Sequence, residues 1–387
     1  MTGLRKSLTY VVNALNPGGT ERLVVEMSRA FATRYSVSVV CLDEPGSWAA
    51  DLRSQGIPVY CLWRQPGLDV AVAGRLAALF RYLHTDLIHA NQCTPWFYSA
   101  LSRLRYRKPR LLLEEHGRFF PETENRSRMA FNRLLISRLT HRFVAVSADI
   151  RERLVRYEGL PAAQIEVIYN GVAPQPLVTQ QERQLIRAEL GFGSADFVVG
   201  TVGRFDPIKN LPLLAQGLAR ASVVHPEVRG LLVGDGPCFS EIAALIAREG
   251  LQERVRLTGF RQDARRLLQC CDLFVLASLS EGTSMALLEA MEGGVPAVVT
   301  NVGGNPEIVL DGSTGWVVRS GSLDEMSNAI QQAASLPERR MALAEAGRQR
   351  FVTQFTLERM LASYQRLYDS MLGVPRVPGS PMTAEKG

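Results

Sequence analysis

Apolar and polar positions along this chain follow two regimes. Short, near-continuous apolar runs alternate with longer stretches in which apolar residues return every three or four positions. In the first 170 residues the apolar runs predict strands at 8–14, 37–42, 86–90, 110–115, 143–147 and 165–169, and the periodic stretches predict helices at 21–32, 70–83, 96–104, 126–139 and 148–157. Apolar strands alternating with helices predict a parallel α/β sheet covered on both faces. Ligand sites in such sheets lie beyond the carboxyl ends of the strands. The stretch 170–176, rich in Gly and Pro, breaks the alternation and reads as a domain boundary. Alternation restarts with strands at 197–203, 229–234, 255–257, 273–277 and 297–300, predicting a second doubly wound sheet. The expected architecture is therefore α/β, with two facing Rossmann-like domains, 1–172 and 173–355, and a cleft between them. A last helical segment spans 356–371, and 373–387, with three prolines and few apolar residues, is expected to be a disordered tail.

Composition narrows the class. A chain of 387 residues is long enough for two domains of ~150 residues each. Its 46% hydrophobic and 21% charged residues describe a soluble globular protein. No apolar run approaches the ~20 residues of a membrane span. Arg5 and Lys6 precede an apolar run, but Asn13, Asn16 and Pro17 interrupt any signal-peptide core. Six cysteines show no metal-ligand or redox spacing and suit small buried residues in a reducing, cytoplasmic setting. The net charge of +6 is concentrated in 96–160, where 14 Arg and Lys face 7 Asp and Glu. There an apolar run, Trp96, Phe97, Tyr98 and Leu101, precedes Arg103, Arg105, Arg107, Lys108 and Arg110. Arg126, Arg128, Arg133 and Arg138 follow on a second helical stretch. Solvated faces explain most charge runs. The aromatics are not interleaved along the basic stretch, which disfavours nucleic acid. An anionic membrane surface is the alternative partner, at ~1 kcal/mol per basic residue.

Candidate chemistry concentrates at predicted strand ends. An apolar strand at 273–277 runs into a Ser/Gly/Thr loop carrying Glu281, and a helix begins near Thr283 or Ser284. A helix start offers unpaired N–H groups and a positive dipole end, a seat for phosphate. Glu289 lies about five residues into that helix, roughly 8 Å further along its axis. One carboxylate can then reach the group on one side of a diphosphate and the second the group beyond it, which suits a nucleotide-sugar. After the strand at 197–202, Gly203 lets the chain pass close to a ligand. Arg204 and Lys209 follow as a planar fork and a mobile point charge for phosphate oxygens. Lys209 is the one lysine of four outside the termini and the basic region. Gly18 and Gly19 open the first helix after the first strand. His116 follows the strand at 110–115, with Glu114, Glu115 and Arg118 as lesser candidates for acceptor contacts. Ser147 either touches a ligand or caps the next helix, and the cap is the simpler reading. The turn at Gly234-Asp235-Gly236 is explained by backbone conformation.

These motifs resemble those of the family 4 retaining glycosyltransferases, which have the GT-B fold and serve bacterial polysaccharide and lipid-linked saccharide synthesis. The resemblance rests on Glu281 and Glu289 as Glu-x7-Glu, on Gly203, Arg204 and Lys209 as Gly-Arg-x4-Lys, and on the block from Ser278 to Val318. It implies transfer of a sugar from a nucleoside-diphosphate sugar to a saccharide or lipid-linked acceptor by front-face displacement, with neither a metal nor a cofactor. No Asp-x-Asp triplet is present. Carried over residue by residue, Arg204, Lys209, Glu281 and His116 become the catalytic set. Gly18, Gly19, Gly203, Gly282, Thr283, Ser284, Met285, Ala286 and Glu289 become donor-binding, with Phe260 and Arg261 at the base. The resemblance also implies that the helix 356–372 crosses back onto the first domain. Gly282-Thr283-Ser284 departs from the commoner Gly-Phe-Pro/Ser run, which leaves the sugar open. The alternatives are a nucleotide-sugar epimerase, a phosphorylase needing a lysine for pyridoxal phosphate, and a non-catalytic nucleotide-sugar-binding subunit.

Overall fold

The computed structural model describes residues 5–117 and 123–374, so Arg118 and the tail at 375–387 lie outside the described residues. The chain forms two all-parallel sheets. The first contains β1 (Ser7–Val12), β2 (Ser36–Cys41), β3 (Val59–Cys61), β4 (Leu87–Asn91), β5 (Arg110–Glu115), β6 (Arg142–Ala145) and β7 (Ile165–Val167), in the order β3-β2-β1-β4-β5-β6-β7. The second contains β8 (Phe197–Val202), β9 (Val228–Val233), β10 (Val255–Leu257), β11 (Leu273–Leu276), β12 (Ala297–Thr300) and β13 (Trp316–Val318), in the order β10-β9-β8-β11-β12-β13. Both orders reverse direction once, between β1 and β4 and between β8 and β11. Those switch points are where open α/β sheets leave a crevice beyond their strand ends.

Burial explains the apolar runs. Every residue of β1 is buried, because helices cover both faces of the sheet. One face of the first sheet carries Leu8, Tyr10, Leu23 and Met27, and the other carries Val11, Ile88, Trp96 and Phe143. The second sheet is covered in the same way. The helix Leu357–Leu372 begins beyond the second sheet, capped by the Thr356 side chain, yet buries Met360, Tyr364, Leu367 and Tyr368 in the first core. Val172 and Thr356 pair where the two inter-domain segments pass side by side.

The structure departs from the periodicity in several places. The edge strands β3 and β13, three residues each, stand outside the strands expected from the apolar runs. The helix Gln180–Glu189 carries a legible capping box, Thr179 with Glu182, that its polar composition obscures. The single helix predicted over 126–139 is instead an α-helix, Arg126–Phe131, a wide turn, Asn132–Ile136, and a tight one, Ser137–Leu139. The wide turn carries the buried Asn132 amide, which donates to Glu158. The aromatic half of the expected membrane patch is corrected as well. Trp96 and Tyr98 are 2% exposed, Trp96 Nε1 donates to Thr140, and Arg103 is buried against Leu139 and Arg107 carbonyls. An apolar helix between a sheet and solvent spends its aromatics on the core first.

Candidate functional site

The loops at the two switch points face each other. Gly18 and Gly19 follow β1 and open the helix Gly19–Phe31. Their lack of a side chain creates space rather than relieving strain, since Gly18 has an ordinary extended φ of −170°. A Cβ on Gly18 would sit 2.2 Å from Glu21 Oε2, and one on Gly19 would lie 3.3 Å from Met285 Cγ in the other domain. The first-domain glycine loop therefore lies against the start of a second-domain helix.

Beyond β8, Asp206 caps a short turn, Pro207–Lys209, that throws Lys209 back toward the sheet. Gly234 makes that loop possible, because at its φ of 147° a Cβ would lie 1.8 Å from the Gly203 carbonyl oxygen. Lys209 Nζ lies 2.6 Å from Glu281 Oε1, and Ser278 Oγ donates to the same oxygen at 2.6 Å. Arg204 is 72% exposed, with Asp206 3.9 Å away. A recess of about 10 Å³, lined by Gly203, Arg204, Lys209 and Ala277 among others, lies beneath. It has room for about one water.

Beyond β11, the loop carrying Glu281 is docked on the first domain. A Cβ on Gly282 would lie 1.9 Å from the His116 carbonyl oxygen. Thr283 Oγ1 donates to the Val146 carbonyl at 2.5 Å, and Asn170 donates to the Thr283 carbonyl at 3.3 Å. The Thr283 hydroxyl, expected near the sugar, is thus spent across the domain interface. Ser284 caps the helix Met285–Glu292, accepting from the Leu287 N–H at 3.4 Å. That leaves Met285 and Ala286 to supply the other first-turn donors. Glu289, expected to face a ribose, is 5% exposed and bound by Arg22 of the first helix at 2.5 Å. Arg261 is held by both oxygens of Asp263 at 2.7 Å, while Phe260 stands 63% exposed at the rim. Ser147 is a helix cap, accepting from Ile150 N at 3.1 Å.

Sequence reading missed two residues that join the domains. Arg22 takes Glu289. Glu307 accepts from the backbone N–H groups of Ala148 and Asp149 at 2.8 and 2.9 Å and from the Tyr169 hydroxyl at 2.9 Å. Its carboxylate sits on the N-terminus of the helix Ala148–Glu158, where the dipole favours negative charge. Neither partnership has a local sequence signal, since both join residues more than 130 positions apart.

At the end of β5, His116 Nε2 lies 3.2 Å from Glu114 Oε1. Burial alone would push the His116 imidazole down, but the Glu114 carboxylate beside it, with Glu115 and Glu21, makes the net direction up. Burial would likewise raise Glu114, and the His116 charge with the hydrogen bonds to it holds the carboxyl well below its usual range. Glu21 faces the same imidazole, and burial raises its carboxyl.

Two parallel-sheet domains whose switch-point loops meet across a cleft, with paired carboxylates and cations at the meeting point, define a GT-B protein. Residues 182–350 match the family model described as glycosyl transferases group 1, and residues 17–175 match that of Glycosyltransferase Family 4. The chain belongs to this family of glycosyltransferases. It is 24% identical over 322 residues to the N-acetyl-alpha-D-glucosaminyl L-malate synthase of Bacillus anthracis, covering 81% of this chain and 82% of that one. It is 26% identical over 253 residues to the UDP-Gal:alpha-D-GlcNAc-diphosphoundecaprenol alpha-1,3-galactosyltransferase of Escherichia coli, covering 63% of this chain and 65% of that one. Among solved structures, Anabaena Alr3699/HepE in complex with UDP superposes with a TM-score of 0.84 at 25% identity, over 94% of this chain and 100% of that one. The same protein has also been solved with UDP and glucose.

Proposed function

We propose that this glycosyltransferase moves a hexose from a nucleoside-diphosphate sugar, with uridine as the first nucleoside to try, to a saccharide or lipid-linked acceptor with retention of anomeric configuration. The observation that carries this reading is the placement of Glu281 and Glu289 on either side of a helix start, with Lys209 on the first carboxylate and the glycine loop opposite. The UDP-bound neighbour supports the same donor class.

In this reading the diphosphate lies on the Met285 and Ala286 N–H groups and is drawn in by Arg204 and Lys209. Phosphate oxygens take Lys209 from Glu281, and the freed carboxylate accepts from sugar hydroxyls. The ribose likewise replaces Arg22 on Glu289. His116 stands beside the reacting oxygens, Gly203, Gly18 and Gly19 give the diphosphate room, and Phe260 offers a face to the base. The bond from C1 to the diphosphate oxygen breaks as the bond from C1 to the acceptor oxygen forms on the same face, and the acceptor proton passes to the departing phosphate. Charge growing on that phosphate meets preorganised donors, usually the largest catalytic term. With two cations in place the step is proposed to need neither metal nor cofactor.

The test is a thermal-shift panel of nucleoside diphosphates and their sugars, followed by NMR of the product anomer with and without EDTA. Stabilisation by a nucleoside-diphosphate sugar and a product of unchanged anomeric configuration are expected. An inverted product would sink the retaining assignment.

We also propose an anionic lipid surface at the cytoplasmic face as a partner, on a patch that differs from the aromatic run read in the sequence. Phe131 and Leu134 are 42% and 60% exposed between the exposed Arg126, Arg133 and Arg138. No helix among the described residues is long and apolar enough to cross a membrane.

A further inference from the structure

A buried polar chain leads away from His116 into the first domain and ends on the crossing helix. Glu114, His89, Tyr364, Tyr368 and Tyr10 are each no more than 1% exposed. Glu114 Oε2 lies 2.8 Å from His89 Nε2, and Glu114 Oε1 accepts from the Tyr364 hydroxyl. His89 Nδ1 lies 2.6 Å from the Tyr368 hydroxyl, which lies 3.3 Å from that of Tyr10. A carboxylate this deep is costly unless paired.

One proton assignment runs along the chain. Tyr10 donates to Tyr368 and Tyr368 to His89 Nδ1, which turns the other ring nitrogen of His89, Nε2, toward Glu114 Oε2 at 2.8 Å. Tyr364 donates to the same carboxylate. The Glu114 carboxylate thus has one hydroxyl donor, Tyr364, and the His116 imidazole 3.2 Å away to offset its charge. Among the described residues, the ionisable groups acting on His116 are carboxylates, Glu114 and Glu115 from β5 and Glu21 from the first helix. The second domain presents the Gly282 backbone to it.

We propose that Glu114 holds His116 as a resident imidazolium at the cleft wall, and that Tyr364, reaching in from the C-terminal crossing helix, is the positioning residue that fixes Glu114. The network thus ties a charge beside the reacting oxygens to the docking of a helix that begins beyond the other domain. Only the use of that charge rests on the proposed function; the charge itself does not. The upward direction for His116 agrees with the geometry. Because the folded imidazole binds its proton more tightly than the unfolded one, the stabilisation is full below its ordinary value near ~6.5 and is lost as pH rises through the raised value.

An NMR titration of His116 in the ligand-free protein tests this. The wild-type midpoint is expected above the ordinary value. Glu114→Gln should lower it by about one pH unit or more, the scale for losing an adjacent opposite charge. Tyr364→Phe removes a donor but keeps the charge, so its midpoint should stay at or above wild type while kcat falls. A wild-type midpoint at or below the ordinary value would overturn the proposal even if Glu114→Gln failed to fold. So would a Tyr364→Phe midpoint that fell together with that of Glu114→Gln, since the charge would then not reside on Glu114. A basic limb of kcat/KM that tracks the midpoint supports both readings. A midpoint that shifts under an unchanged rate profile supports the dyad and removes His116 from the reaction.

Discussion

At the scale of single residues, the ligand-free site satisfies its charges with each other. Glu281 holds Lys209 and Glu289 holds Arg22, at 2.6 and 2.5 Å. Lys209, Glu281 and Glu289 each have a ligand-side use in the proposed reaction, so removing any of them should show in the kinetics. Lys209→Ala should lower kcat by at least ~10²-fold, by analogy with loss of one oxyanion donor. Near-normal turnover in a folded variant would take Lys209 off the diphosphate. The carboxylates should fail differently. Glu281→Gln, beside the reacting sugar, should depress kcat, whereas Glu289→Gln, beside the ribose, should chiefly raise the donor KM. Matched kinetic defects would deny that division of roles.

At the scale of elements, the loop 278–284 does two jobs. It presents Glu281 to the cleft, and it docks one domain on the other through Gly282 and Thr283. Glycine at 282 is required by the His116 carbonyl, with which a Cβ would clash at 1.9 Å. Gly282→Ala should therefore cost ~1–3 kcal/mol, as overpacking generally does, and lower Tm. An unchanged Tm would mean that the two domains do not dock on this loop in solution. The helix Ala148–Glu158 takes part in the same docking, because Glu307 supplies the acceptor for its first N–H groups. The threonine in place of an aromatic next to Gly282 acquires a structural meaning here, as its hydroxyl reaches the first domain and not the sugar.

At the scale of the whole molecule, a recess of about 10 Å³ at the Gly203–Lys209 loop is too small for a diphosphate. In the proposed reaction the donor takes the places of Glu281 on Lys209 and of Arg22 on Glu289. The exposed patch of Phe131, Leu134 and their arginines lies on the first domain, the expected acceptor side. Sedimentation with vesicles should show binding that needs anionic lipid and weakens with salt. Leu134→Glu with Arg133→Glu should abolish it while leaving turnover of a water-soluble acceptor intact. Equal recovery with neutral vesicles would assign that face to solvent.

The sequence by itself determined the two doubly wound sheets, their strand-end loops and the position of Glu289 within its helix. Periodicity and local capping are properties of neighbouring residues, and a chain this long repeats them often enough to be read. Glu281 and Lys209 were likewise visible as residues at strand ends, because an α/β sheet puts its chemistry there. What only the tertiary structure decided is how those groups are occupied. That Arg22 meets Glu289, that Glu307 caps a first-domain helix, that Trp96 and Tyr98 serve the core, and that Tyr364 reaches Glu114 all depend on approaches between segments far apart in the chain. Such approaches are fixed by how two domains and a crossing helix pack, and no window of sequence contains them.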